Sequence, residues 1–364
     1  MPNNLAMELI LTISAFFIGF ILVMISVPSI LKIARAKHLF EPFEARKIHT
    51  SIVPPLGGVA IFIGFTLSAI IATDGLSFDS LKYIIASVIL MFFIGLKDDL
   101  LTISPRKKLI IQIFAAIILI TLANVRFTNL HGILGIHEIG FIPSVAITLL
   151  AMVVIINAFN LIDGIDGLAS GLAMMSITVL GVWFYIAGQY QFAIMSFAMV
   201  GSLAGFFLYN VFGRRNKLFM GDTGSLIIGI VISALIVKFN EFNIVKTTPF
   251  AIGAAPAVSF AIILVPLIDT LSVMSIRISN NKSPFIADNN HIHHRLLTLV
   301  NNHFIVALII VFANVLIVAL AIFLNSKGIN GNIQFVIIFL IGILMSFIPS
   351  IILKYRKTHL TQHV

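Results

Sequence analysis

No cysteine occurs anywhere in the 364 residues. Disulfides, thiol nucleophiles and zinc–thiolate centres are therefore excluded. Charge is almost as scarce. Only 10% of residues are Asp, Glu, Lys or Arg, against roughly a quarter in a soluble domain. A chain with so little charge cannot cover a water-facing surface. What it has instead is apolar length, with 59% hydrophobic residues and a mean hydropathy of +1.11. The bilayer is its expected solvent. With no internal repeat, low-complexity tract or soluble module, residues 1–364 read as a single transmembrane domain.

A membrane-spanning helix needs about 20 mostly apolar residues. Eleven segments qualify: 5–31, 56–73, 81–97, 108–124, 142–161, 168–188, 190–212, 223–239, 249–276, 303–324 and 333–353. The first run is too long for a cleaved signal core and lacks a basic leader, so it is expected to be the first span. The expected fold is all-α and polytopic. Residues 125–142 form the longest outward loop, where an alternating stretch and the glycines Gly132 and Gly135 suit a small β-hairpin. With the N-terminus outside, Lys82, Arg126, Lys238, Lys246 and Lys327 fall outward and every other Lys and Arg falls inward. Basic residues gather in cytoplasmic loops, so the inward face is expected to be cytoplasmic. Anionic lipid accounts for the net charge of +9, and nucleic acid is not an expected partner.

The polar residues gather on that same inward face. Asp98, Asp99, Asp163, Asp166, Asp222 and Asp288 all fall in inward loops or at inward span ends, which points to one shared site. Its candidate loops are 37–55, 97–108, 157–168, 210–226 and 277–302. The first holds Arg46, Lys47 and His49 before Pro54-Pro55-Leu56-Gly57-Gly58. The second holds the adjacent pair Asp98-Asp99, costly beside hydrocarbon unless a cation or proton joins them, with Lys108 following. The third runs Asn157-Ala-Phe-Asn160-Leu-Ile-Asp163-Gly-Ile-Asp166-Gly167-Leu168. Asn157 and Asn160 share a helical face, and oxygen ligands among glycines suit a hard cation such as magnesium. The fourth holds Asn210, a basic group including Lys217, and Phe219-Met-Gly221-Asp222-Thr223-Gly224-Ser225. Its backbone N–H groups favour an anion, although Asp222 or Thr223 as a simple N-cap is the plainer reading. The fifth holds Asp288 and His291-Ile-His293-His294-Arg295, with Arg277 upstream. Three histidines can hold zinc, and with the arginines a phosphate site fits as well. Asp269, inside the ninth span, is either functional or a hydrogen-bond partner for a neighbouring helix.

Taken together, the motifs from Lys47 to Arg295 resemble the polyprenyl-phosphate N-acetylhexosamine-1-phosphate transferase family. The Ser283-Pro284-Phe285 and His-Ile-His-His strings look like its bacterial N-acetylglucosamine branch. The loop before Phe219 is slightly longer than in the lipid I translocases. The resemblance implies that Asn160 and Asp222 hold magnesium, with manganese as an alternative, and that Asp98 and Asp99 sit at the attacking phosphate. Lys108 would lie near the phosphates. Lys47, Asn157, Asp163, Asp166, Asn210 and Phe219 would serve the nucleoside and donor. Arg277, His291, His293 and His294 would add basic positions around the nucleotide-sugar. The expected reaction moves N-acetylglucosamine 1-phosphate from its UDP donor to undecaprenyl phosphate, releasing UMP, in a cell-surface polysaccharide or lipopolysaccharide pathway. N-acetylgalactosamine and N-acetylmuramoyl-pentapeptide donors are alternatives. A secondary transporter is the competing class, but transporters place their sites at the midplane between repeats. The implied location is the bacterial inner membrane. The oligomeric state stays open, with a homodimer among the alternatives.

Overall fold

The computed structural model describes residues 2–39, 53–73, 79–245, 250–279 and 291–361. Within a bilayer a backbone must satisfy its own hydrogen bonds, so continuous apolar runs propagate as helix. Among the described residues, seven helices are long and apolar enough to cross a membrane: α1 (Pro2–Ala36), α5 (Phe141–Leu161), α6 (Leu168–Ile186), α7 (Tyr190–Phe207), α8 (Gly221–Phe242), α12 (His303–Ser326) and α13 (Gly331–Thr361). A π-helical turn, Leu208–Phe212, extends α7. The chain is thus an all-α polytopic membrane protein. The other helices are α2 (Gly57–Ala72), α3 (Asp79–Leu101), α4 (Pro105–Thr121), α9 (Ala255–Ile262), α10 (Leu264–Ser279) and α11 (Ile292–Val300).

The core is built round α8, which packs against α2, α3, α5, α6 and α9. A helix that is apolar on every side belongs inside a bundle, and α8 is buried along nearly its whole length. The outer helices α1, α12 and α13 instead expose Ile10, Phe17, Ile25, Phe312 and Phe347. In water such a belt would be an aggregation surface, and in lipid it is the required one.

The continuous apolar run at 249–276 does not form one straight helix. Helices α9 and α10 meet at 74°. A break frees backbone groups that must find partners inside the protein. Asn314 of α12, fully buried, donates to the carbonyls of Ala261 (3.3 Å) and Ile262 (3.1 Å) and accepts from the Val265 N–H at 3.2 Å. The Ser176 hydroxyl also donates to the Ile262 carbonyl, at 3.0 Å.

Two short strands, β1 (Asn129–Ile133) and β2 (Ile136–Glu138), pair antiparallel. Leu134 and Gly135 between them have φ of 51° and 78°, the backbone of a tight two-residue connection. Asn332 of α13 accepts from the Leu134 N–H and donates to the Gly132 carbonyl, at 3.0 and 2.9 Å.

Candidate active site

Four helix ends converge at one end of the bundle: the last turn of α3, the first turn of α4, the end of α5 with its following turn, and the first turn of α8. Lys108 of α4 joins two of them. Its Nζ lies 2.5 Å from Asp98 Oδ2 and 2.6 Å from Asp222 Oδ2. The other oxygen of Asp98 accepts from the Ile103 N–H at 2.6 Å, closing the short α3–α4 connection. The other oxygen of Asp222 accepts from Asn160 Nδ2 at 2.5 Å, and that amide also donates to Ser225 Oγ at 2.9 Å.

Asp99 goes elsewhere. Its carboxylate accepts from the backbone N–H groups of Asp222 (2.7 Å) and Thr223 (3.0 Å) and from Thr223 Oγ1 (2.5 Å). A helix N-terminus leaves its first N–H groups without intrahelical partners and carries a partial positive charge. Asp99 supplies both the acceptors and the charge from a different helix. The approach needs Gly221, whose φ is +71° and where a Cβ would stand 2.6 Å from Asp99 Oδ2. The same chain segment is held from its other side: the Gly57 and Gly58 N–H groups donate to the carbonyls of Phe219 and Met220 at 2.8 and 2.9 Å.

The α5–α6 turn carries two aspartates with opposite surroundings. Asp166 faces Lys217 Nζ at 2.7 Å and His303 Nδ1 at 3.2 Å. Burial works against its charge, but these two partners outweigh it and hold the carboxyl below the usual range. Asp163 has no such cation among the described residues. Burial first, and then the negative charges of Asp222, Asp99 and Asp166, push its carboxyl up to about 8. Lys217 also lies over the Phe219 ring, 5.6 Å from its centroid.

The structure therefore brings Asp98, Lys108, Asn160, Asp163, Asp166, Phe219 and Asp222 into one neighbourhood. Asn157 and Asn210 each make hydrogen bonds within the protein. Asn157 donates to Gln112 Oε1 at 2.9 Å and to the Val153 carbonyl at 2.8 Å. Asn210 accepts from the Gly167 N–H at 2.7 Å and donates to the Leu218 carbonyl at 3.0 Å, clamping two loops together. Arg277 is buried at the end of α10. His291 and His293 converge on Asp269, their ligand atoms all within 4.8 Å of one another. Burial, and then the charges of His293 and His291, push the neighbouring His294 down to about 4. Lys47 and Asp288 lie outside the described residues. Sequence reasoning missed Gln112, Ser225 and His303 as partners. Ser225 alone left a signal, standing three residues after Asp222 in the Gly-Asp-Thr-Gly-Ser string.

Acids, amides and one bridging lysine gathered at a single end of a helical bundle define a membrane-embedded enzyme. The pattern described as Glycosyl transferase family 4 matches residues 81–240, the stretch carrying all four converging helix ends. The chain is similar to the undecaprenyl-phosphate alpha-N-acetylglucosaminyl 1-phosphate transferase of Escherichia coli O157:H7, with 33% identity over 73% of this chain and 71% of the relative. The protein of the same name from Yersinia pestis is 31% identical over the same shares. A probable undecaprenyl-phosphate N-acetylglucosaminyl 1-phosphate transferase of Bacillus subtilis (strain 168) is 30% identical over 94% of this chain and 93% of its own. The chain belongs to glycosyl transferase family 4.

Proposed function

We propose that the protein transfers N-acetylglucosamine 1-phosphate from UDP-N-acetylglucosamine to undecaprenyl phosphate and releases UMP. The observation that carries this reading is the Lys108 bridge between Asp98 and Asp222, set inside the family-matched stretch. The relatives' names supply the sugar phosphate and the lipid. The site would face the cytoplasm of a bacterial inner membrane, where the UDP-sugar is made and the lipid tail can stay in the bilayer. Eleven crossings follow if α2, α3, α4 and the bent α9–α10 pair are added to the seven long helices, placing the β1–β2 pair on the opposite side. The inward excess of Lys and Arg supports that orientation.

The chemistry requires bringing a phosphate monoester to a diphosphate, two anions. The monoester is already largely a dianion at neutral pH, with a second pKa near about 6, so its oxygen needs little general-base help. That oxygen attacks the sugar-linked phosphorus. The bond from phosphorus to the UMP oxygen breaks, and UMP leaves with the electron pair. Lys108 supplies positive charge beside the transferred group, held in place by Asp98 and Asp222. Hard oxygen donors, and in Asp163 an acid raised first by burial and then by its neighbours' charges, fit a divalent cation. Asp222, with Asn160 beside it, would hold magnesium or manganese, which neutralises diphosphate charge when bound. Lys217, stacked on Phe219 and tied to Asp166, frames the nucleoside side. Lys47, Arg277 and the histidines would complete the donor side, and no covalent enzyme intermediate is needed.

Purified protein given undecaprenyl phosphate and UDP-N-acetylglucosamine should release UMP with magnesium and stop in EDTA. UDP-N-acetylgalactosamine and the UDP-muramoyl-pentapeptide should be poorer donors. Asp222→Asn should lower turnover by at least about two orders of magnitude, as removal of a main electrostatic group does. Full activity in EDTA would remove the metal from this reading, and no UMP from any donor would remove the reading itself.

A further inference from the structure

Asp269 takes no part in the chemistry just described, yet it is a 1% exposed acid within α10. An acid at such depth is costly unless its charge is met by partners. The partners are all in one place. Oδ1 accepts from the Ile292 N–H at 2.7 Å, in the first turn of α11. Oδ2 lies 2.9 Å from His291 Nδ1 and 3.5 Å from His293 Nδ1.

We infer that Asp269 is a positioning residue for the donor side of the site: its carboxylate fixes His291 with Nδ1 protonated and seats the His291–His293 segment on the Asp163–Asp166 turn. This rests on the transferase reading above. An ionised carboxylate only accepts hydrogen bonds. At 2.9 Å the His291 Nδ1 must therefore carry the hydrogen, which leaves Nε2 as the ring's open nitrogen. The Ile292 N–H is one of the unpaired donors of a helix start, so the same carboxylate also anchors the backbone that carries both imidazoles.

The far end of this arm reaches the site. His293 is fully buried. Apart from the approach to Asp269, neither of its ring nitrogens has a hydrogen-bond partner among the described residues. Its Nε2 presses on the turn between the two aspartates, where a Cβ added at Gly164 would stand only 2.3 Å away. His293 is thus held by packing and by the Asp269 anchor. Removing the anchor should let the segment shift away from Asp163 and Asp166.

The test uses the full chain in nanodiscs with ¹⁵N-labelled histidine, the His291 signal being assigned by its loss in His291→Gln. Wild type should show the Nδ1–H form. In Asp269→Asn one amide oxygen can still serve the Ile292 N–H, which turns the amide NH₂ toward His291 and drives the ring to the Nε2–H form. UMP affinity by calorimetry should fall roughly tenfold or more, the scale of a lost charged hydrogen bond. The KM for undecaprenyl phosphate should stay within about twofold, since that side of the site is untouched. An Nε2–H form in wild type overturns the inference even if the variant fails to fold. So does unchanged UMP affinity in folded Asp269→Asn, or one equivalent of zinc in wild type that the variant loses. A wild type that binds no UMP overturns the transferase reading instead, and the tautomer alone then decides the role of Asp269.

Discussion

Asp163 shows how far one residue departs from its type. An unfolded chain releases this proton near the ordinary value of 3.8, whereas the folded protein keeps it up to about 8. Between those values the folded state binds more protons than the unfolded one. Stability therefore falls as pH rises through that window, and the loss is complete only above about 8. Asp163→Asn removes the titrating group. In chelator, the variant should gain melting temperature over wild type, by more at pH 8 than at pH 5. Its UMP release should fall at the same time. Melting scans at the two pH values check this, and a gain that does not grow with pH rejects it. A divalent cation bound to wild type should narrow the gap by favouring the ionised carboxylate.

At the scale of elements, the adjacent pair Asp98-Asp99 divides because successive helical residues point about 100° apart. Asp98 turns to Lys108, while Asp99 turns to the start of α8 and sets where Asp222 stands. Asp99→Asn keeps one acceptor for three donors. It should weaken Mn²⁺ binding, read by electron paramagnetic resonance, more than Asp98→Asn does. Thr223→Val loses one hydroxyl contact and should cost about 1 kcal/mol of stability with little change in Mn²⁺ binding. The double Asp98→Asn, Asp99→Asn protein should still bind UMP, and complete loss of nucleotide binding in a folded protein would move the pair to the donor site. The string from Asn157 to Leu168 and the Gly-Asp-Thr-Gly-Ser string were legible because their chemistry is local. Asp99 as a cap was not, because its partners lie 123 residues on. The 74° bend was hidden for a related reason: its freed groups are answered by Ser176 and Asn314, far away in sequence, so the apolar run shows no gap. The sequence marks Asn157 and Asn210 as polar positions but not that they hold Gln112 and the Gly167 and Leu218 backbone, because an amide that binds a nucleoside and one that clamps a loop are the same residue type.

For the whole molecule, the question is which face carries the site. The converging helix ends put Asp98, Asp163 and Asp222 at one end of the bundle, and the β1–β2 pair stands at the other ends of α4 and α5. If the basic-residue asymmetry sets orientation, the site end is cytoplasmic and the strand end is not. The absence of native cysteine makes this directly testable, since each introduced thiol is the sole reporter. Exposed positions avoid disturbing the core: Leu134 lies between the strands at 86% exposure, and Arg214 and Thr298 are also exposed. An impermeant maleimide applied to spheroplasts should label Leu134→Cys and leave Arg214→Cys and Thr298→Cys unlabelled until the membrane is opened. An odd number of crossings separates 134 from 214 and from 298 in the eleven-span arrangement, so the three reporters test count and orientation together. Labelling of Thr298→Cys in closed spheroplasts would put the histidine segment outside, away from any cytoplasmic UDP-sugar. The transferase reading would then need its donor delivered across the membrane.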